Sequence, residues 1–133
     1  MAVLPDQTAL LDFDYLQINY HDAGFSYLLP EILELFRSQA GLYLNSIEHY
    51  LAHADLHALT LEAHTLKGAA GSVGAAALAL AAQQLEETTV DSGIAEVSRQ
   101  VDALRELTAR TDAAITTEIA RLVTDTEDDL ERP

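Results

Sequence analysis

Cysteine and tryptophan are absent from this chain of 133 residues, and only 6% of its residues are aromatic. The absence of cysteine excludes disulfides and thiolate metal sites, and it removes any cysteine evidence about the redox compartment. With so few aromatic rings, a platform that stacks nucleobases is not expected. The chain still has the means to bury a real core, because 49% of its residues are apolar.

Positive charge is scarce as well. Seven lysine and arginine residues stand against 22 aspartate and glutamate residues, which gives a net charge of −15. We therefore expect no nucleic-acid partner and no attraction to an anionic membrane surface. Met1–Ala9 has no basic cluster followed by an apolar run, and no apolar stretch approaches the roughly 20 residues of a membrane span. These features favour a cytoplasmic protein without membrane insertion.

Helix breakers are few, with six glycines and three prolines, and no stretch alternates as a strand would. The pattern predicts a short segment at about 12–20, then a long helix with Pro30 in its first turn that ends at His53-Ala54-Asp55. Further helices are predicted at about 56–72, 75–88 and from 94 on. Short connections favour antiparallel neighbours. We expect an all-α fold, an up-down antiparallel four-helix bundle with a short extra N-terminal helix. It forms a single domain over 1–133, with a bundle core at about 25–122 and a fraying acidic tail at about 124–133.

Several residues mark the ends and faces of these helices. Pro30 suits a first turn, Asp55 suits an N-cap, and Gly74 suits a left-handed stop. Gly71 is interpreted as a packing residue. The second segment is expected to bury one stripe of apolar side chains: Ile32, Phe36, Ala40, Tyr43, Ile47 and Leu51. The last helix is expected to bury another: Ile94, Val97, Val101, Leu104, Thr111, Ile115 and Leu122.

One histidine is predicted to face away from the core. Apolar residues of the helix at 56–72 form a single stripe, and His64 points roughly 120° from its centre at 100° per residue. His57, Leu61 and Gly68 share its side of the helix. The apolar stripe itself consists of Leu56, Leu59, Ala63, Leu66 and Ala70.

This arrangement suits transfer of a phosphoryl group. A neutral imidazole is a good nucleophile near neutral pH, and it works best when an acceptor holds its other ring nitrogen. Lys67, the only lysine, lies one turn from His64 and can offset the charge of the transferred group. Glu86 on the following helix is a candidate for holding the imidazole. Gly68 costs its helix about 1 kcal/mol relative to alanine, and it leaves room for a partner to approach.

Each of these residues also has an ordinary explanation. His64, Lys67 and Glu86 are all residue types common on helix surfaces, and the alternative explanation of Gly68 is a helix–helix contact. His49 and His53 are spaced to share one helix face, which also suits a metal ion.

The run His64-Thr65-Leu66-Lys67-Gly68 with Gly71, Gly74 and Glu86 resembles the histidine-containing phosphotransfer (HPt) domain of multistep phosphorelays. The resemblance covers roughly 25–89. It implies a four-helix bundle, an exposed phospho-accepting histidine, a lysine three positions on and a glutamine or glutamate 22 positions on. Some members carry a further basic residue late in the fourth helix, where this chain has Val90.

The resemblance also implies the partners. Such a domain carries a phosphoryl group between receiver-domain aspartates or accepts it from a sensor histidine kinase, including hybrid kinases. It has no kinase activity, nucleotide site or cofactor of its own, and the receiver brings the magnesium. We expect residues on the His64 side of the helix to line the docking patch: His57, Thr60, Leu61, Gly68 and Ser72.

Two other functions remain open on the sequence alone. One is a helical adaptor that binds a receiver or kinase domain without carrying phosphate. The other is a metal-binding bundle that uses His49 and His53. Thr108 and Thr111 interrupt the seam of the last helix, so we expect a monomer.

Overall fold

The computed structural model describes residues 8–131 and, apart from residues 90, 91 and 126–131, their side chains. Every element within that range is helical, which confirms the all-α prediction. The elements are α1 (Phe13–Leu16), a π-helical turn (Gln17–His21), a 3-10 turn (Ser26–Leu28), α2 (Leu29–Ala52), α3 (Leu56–Ser72), α4 (Ala76–Asp91) and α5 (Ile94–Glu131).

The four long helices form a closed ring. Helix α2 packs against α3 and α5, and α4 packs against the same two helices. The connections are short, so consecutive helices run antiparallel around one core. The described helices include none that is long and apolar enough to cross a membrane.

The stripe that α2 buries is rotated from the predicted one. Ile32, Tyr43 and Leu51 lie at its margin, half-buried. Because α2 contacts two neighbours, its apolar face is wide, and periodicity alone did not place the centre of that face. The buried residues of α2 are Leu29, Leu33, Phe36, Ala40, Leu44 and Ile47.

The predicted helix signals act as expected. Pro30 lies in the first turn of α2. The Asp55 carboxylate accepts a hydrogen bond from the Ala58 amide at 3.2 Å and begins α3. Gly74 has a φ of +72°, the left-handed conformation that follows α3. Helix α4 begins at Ala76 and ends at Asp91, beyond the predicted end at 88, so only Ser92 and Gly93 form the turn.

Helix α5 continues to Glu131, past the predicted beginning of a separate tail. Leu122 is its last buried residue among the described side chains, and Ile94, expected in its stripe, is exposed. Thr111 is almost completely buried. Its hydroxyl donates to the Leu107 carbonyl at 2.8 Å, which explains how a polar residue is tolerated in the seam.

The N-terminal segment is fastened to the connection between α3 and α4. The Asp12 amide donates to the Gly74 carbonyl at 2.8 Å. The hydroxyls of Tyr15 and Tyr20 both donate to the Ser72 carbonyl, at 3.2 and 2.8 Å. This segment therefore provides hydrogen-bond partners for the C-terminal end of α3, where helix carbonyls lack partners of their own.

Candidate functional site

His64 lies on the exposed side of α3. Leu59, Ala63, Leu66 and Ala70 are fully buried and fix the orientation of the helix. The His64 side chain is consequently 63% exposed.

Glu86 on α4 joins His64 to Lys67. The Nδ1 atom of His64 lies 2.8 Å from Glu86 Oε1, and Lys67 Nζ lies 3.0 Å from Glu86 Oε2. One carboxylate thus uses both oxygens, one for each neighbour on α3. Glu86 is itself only 24% exposed, so the carboxylate lies in the groove between the two helices.

The charge state of Glu86 determines which nitrogen of His64 carries the proton. The hydrogen bond from Lys67 is the largest influence and lowers the pKa of Glu86. Desolvation, the next largest, opposes it, and the contact with His64 lowers the pKa further. An ionised carboxylate only accepts hydrogen bonds, so the Nδ1 that faces it is the protonated nitrogen of a neutral ring. The lone pair of such a ring is then on Nε2.

The glycines near His64 have different environments. A Cβ atom added at Gly68 or Gly71 meets nothing within 4 Å. The alternative explanation of Gly68 as a helix–helix contact is therefore excluded, and our interpretation of Gly71 as a packing residue was wrong. A Cβ atom at Gly74 lies 3.1 Å from the Tyr15 ring. Of these three glycines, only Gly74 combines a positive φ with a close neighbour, so only Gly74 is required by the local fold.

Four of the five residues expected in the docking patch are exposed, and Thr60 is not. His57, Leu61, Gly68 and Ser72 are exposed on the His64 side of α3, and Leu61 is 58% exposed. Thr60 is half-buried instead. Its hydroxyl lies 2.8 Å from the Leu56 carbonyl and 2.5 Å from the hydroxyl of Thr89, so it faces α4 rather than solvent.

Sequence reasoning did not place the residues of α2 beside this patch. Ile32, Leu35 and Gln39 line a small cavity of about 110 Å³ together with Ala69 and Ser72 of α3. Leu35 is 59% exposed. In the sequence, Leu35 is an apolar residue outside the predicted buried stripe of α2, which could have indicated a surface contact. The sequence does not show which neighbouring helix Leu35 approaches.

His49 and His53 do not form a metal site with other residues. Their ring centroids lie 4.3 Å apart, and His53 Nδ1 lies 2.9 Å from the His49 carbonyl oxygen, which engages that nitrogen. In residues 8–131, histidines and carboxylates do not gather in any group of three that would hold a metal ion.

The Hpt domain family model matches residues 31–130, so the chain belongs to the Hpt domain family. Members of this family are phosphotransfer carriers of phosphorelays without kinase activity of their own, and they interact with receiver domains and kinases. The match extends to residue 130 and so includes nearly all of α5, beyond the resemblance at 25–89.

The fold is similar to that of histidine-containing phosphotransfer protein B (HptB) from Pseudomonas aeruginosa PAO1. The TM-score is 0.74 at 24% sequence identity, and the alignment covers 86% of this chain and 97% of that chain. At this identity the likeness shows the fold. None of the curated proteins matches the chain in sequence.

Proposed function

We propose that His64 accepts a phosphoryl group from the aspartate of a receiver domain, or from a kinase, and passes it to another receiver domain. The observation that carries the proposal is the shared carboxylate of Glu86, 2.8 Å from His64 Nδ1 and 3.0 Å from Lys67 Nζ. It holds an exposed imidazole in the tautomer that a nucleophile at Nε2 requires.

The transfer follows from this tautomer. The Nε2 lone pair attacks the phosphorus of the aspartyl phosphate, the P–O bond to the aspartate breaks, and its electron pair stays on the departing carboxylate. The proton remains on Nδ1, so the ring becomes cationic as the N–P bond forms. Glu86 stabilises that positive charge through a charge-assisted hydrogen bond. Reversal of the same step on a second receiver completes the relay.

Lys67 has a second task in this scheme. Its ammonium group is fixed by Glu86 one turn from the imidazole, and it partly offsets the negative charge of the arriving phosphoryl group. A cation held in place in advance needs no reorganisation during the reaction. The magnesium that the family resemblance implies is supplied by the receiver.

The docking surface surrounds His64 on two helices. We assign to it His57, Leu61, Gly68 and Ser72 of α3, extended by Ile32 and Leu35 of α2 next to Ser72. The open space above Gly68 lets a receiver approach the imidazole. The exposed side chains of Leu35 and Leu61 supply apolar contact area to this surface.

The test is phosphotransfer from a phosphorylated receiver domain. We expect the wild-type protein to acquire an acid-labile, base-stable phosphate, and His64→Gln to acquire none while its circular dichroism is unchanged. His49→Gln, an exposed histidine outside the site, is the matched control and retains the label. Labelled His64→Gln would refute the assignment. Full-strength receiver binding by His64→Ala, with no transfer to the wild-type protein from any receiver, would instead support the adaptor function.

A further inference from the structure

We infer that Thr60 and Thr89 are positioning residues for the transfer at His64, because their hydroxyls hold α3 and α4 close enough for Glu86 to reach the imidazole. The inference rests on the proposed function. It assigns to Thr60 a role inside the bundle rather than one in the docking patch.

The Thr60–Thr89 pair joins the same two helices as the His64–Glu86 pair. Thr60 lies one helical turn before His64 on α3, and Thr89 lies about one turn after Glu86 on α4. In antiparallel helices these two pairs are successive cross-connections between the same two elements. Thr89 is only 8% exposed and Thr60 is half-buried, so the threonine pair is more shielded from water than the imidazole.

The two hydroxyl oxygens lie closer together than non-bonded atoms can, so they share a hydrogen bond. Their oxygens lie 2.5 Å apart, whereas two non-bonded carbon atoms need about 3.5–4.0 Å. A methyl carbon against the remaining hydroxyl oxygen needs roughly 3.3–3.6 Å, so we expect a methyl group in place of either hydroxyl to move α3 and α4 apart by up to ~1 Å at this level. The hydrogen bond from His64 to Glu86, at 2.8 Å one turn away, has little room for such a change before it is lost.

The hydrogen-bond pattern also connects this pair to the backbone that carries Glu86. Thr89 Oγ1 lies 2.9 Å from the Glu86 carbonyl and 3.1 Å from the Leu85 carbonyl, and Thr60 Oγ1 lies 2.8 Å from the Leu56 carbonyl. Whichever hydroxyl donates to the other, the remaining hydroxyl hydrogen is directed to a carbonyl of its own helix. Each arrangement leaves both hydroxyls paired and both helices linked.

The test measures the tautomer of His64 together with the transfer rate. In Thr60→Val and Thr89→Val we expect the imidazole ¹⁵N shifts to lose the signature of the Nδ1–H tautomer, and the transfer rate to fall by about tenfold or more, since a misplacement near 1 Å can cost up to ~100-fold. Thr60→Ser and Thr89→Ser keep the hydroxyl and are expected to restore both readouts.

Thr88→Val is the matched control for a merely structural effect. The Thr88 hydroxyl accepts a hydrogen bond from Gln100 on α5 at 2.8 Å, so its loss weakens the bundle on the side that lacks His64. We expect this variant to lower the melting temperature without altering the tautomer. The double variant Thr60→Val/Thr89→Val leaves no unpaired hydroxyl and keeps the fold testable where a single variant does not fold.

The outcomes separate the two proposals. Wild-type tautomer and rate in folded Thr60→Val and Thr89→Val, or an equal tautomer change in Thr88→Val, overturns the positioning role and leaves His64 as the phosphate acceptor. Transfer to a His64→Gln protein overturns the proposed function itself.

Discussion

At the residue scale, Glu86 is the group on which the chemistry of its neighbours depends. A free surface histidine exchanges between tautomers, and a free lysine moves over a wide volume. Glu86 restricts both, and its lowered pKa keeps it ionised while it does so. The site is therefore a set of three side chains whose geometry is already fixed before a partner arrives.

The stability that Glu86 contributes should depend on pH. Its folded pKa lies below the ordinary value of 4.5 because of the hydrogen bond from Lys67 and the contact with His64. A lowered carboxylate pKa contributes stability that is fully present above the unfolded value and is lost as the pH falls through the folded value. We expect Glu86→Gln to lower the free energy of unfolding by about 0.2–1 kcal/mol near neutral pH, and to match wild type in strong acid. Urea denaturation across pH measures this difference, and a difference unchanged from neutral to acidic pH contradicts it.

Gly68 offers a second test at this scale. Because a Cβ atom there meets nothing, Gly68→Ala should raise the free energy of unfolding by about 0.5–1 kcal/mol through helix propensity. The same methyl group occupies the space where a receiver approaches, so we expect slower phosphotransfer. Gly41→Ala on α2, also in open space, is the matched control. It should gain similar stability and transfer at the wild-type rate, and equal rates in both variants would contradict a role of Gly68 in access.

At the element scale, the N-terminal segment packs against the turn at Gly74 that follows α3, where the backbone is left-handed. Gly74→Ala forces a residue with a Cβ atom into a φ of +72° and brings that atom to 3.1 Å from the Tyr15 ring. We expect a loss of about 1–3 kcal/mol in the free energy of unfolding, measured by urea denaturation. Gly71→Ala, with open space and helical geometry, is the control and should not destabilise. Equal stability of the two variants would mean that the segment does not constrain this turn.

The elements also show how far the sequence predicts the site. The bounds of α3 and the exposure of His64 follow from local periodicity and an N-cap, which act within one helix. The contact of Glu86 with His64 followed from a family spacing and from the short α3–α4 connection. The threonine pair and the position of Leu35 depend on which faces of two helices meet, and periodicity within a single helix does not contain that information.

At the scale of the whole molecule, charge of one sign surrounds the site. Helices α3 and α4 carry Lys67 as their only lysine or arginine, against four carboxylates: Glu62, Glu86, Glu87 and Asp91. Within residues 8–131 the arginines lie on α2 and α5, where Arg37, Arg105 and Arg121 pair with carboxylates. With a net charge of −15, the proposed docking surface is part of a strongly negative molecule.

Such a field should accelerate encounter with a receiver whose docking face is basic. Salt screens charges over a Debye length of about 10 Å at 0.1 M, so we expect the association rate, measured by stopped flow, to fall severalfold as salt is added while the dissociation rate changes little. Glu62→Gln on α3 and Glu87→Gln on α4, the helices that carry His64 and Glu86, should slow association more than Glu106→Gln, which removes the same charge from the exposed face of α5. An association rate independent of salt, or equal effects of the three variants, would show that the acidic surface does not guide the receiver to His64.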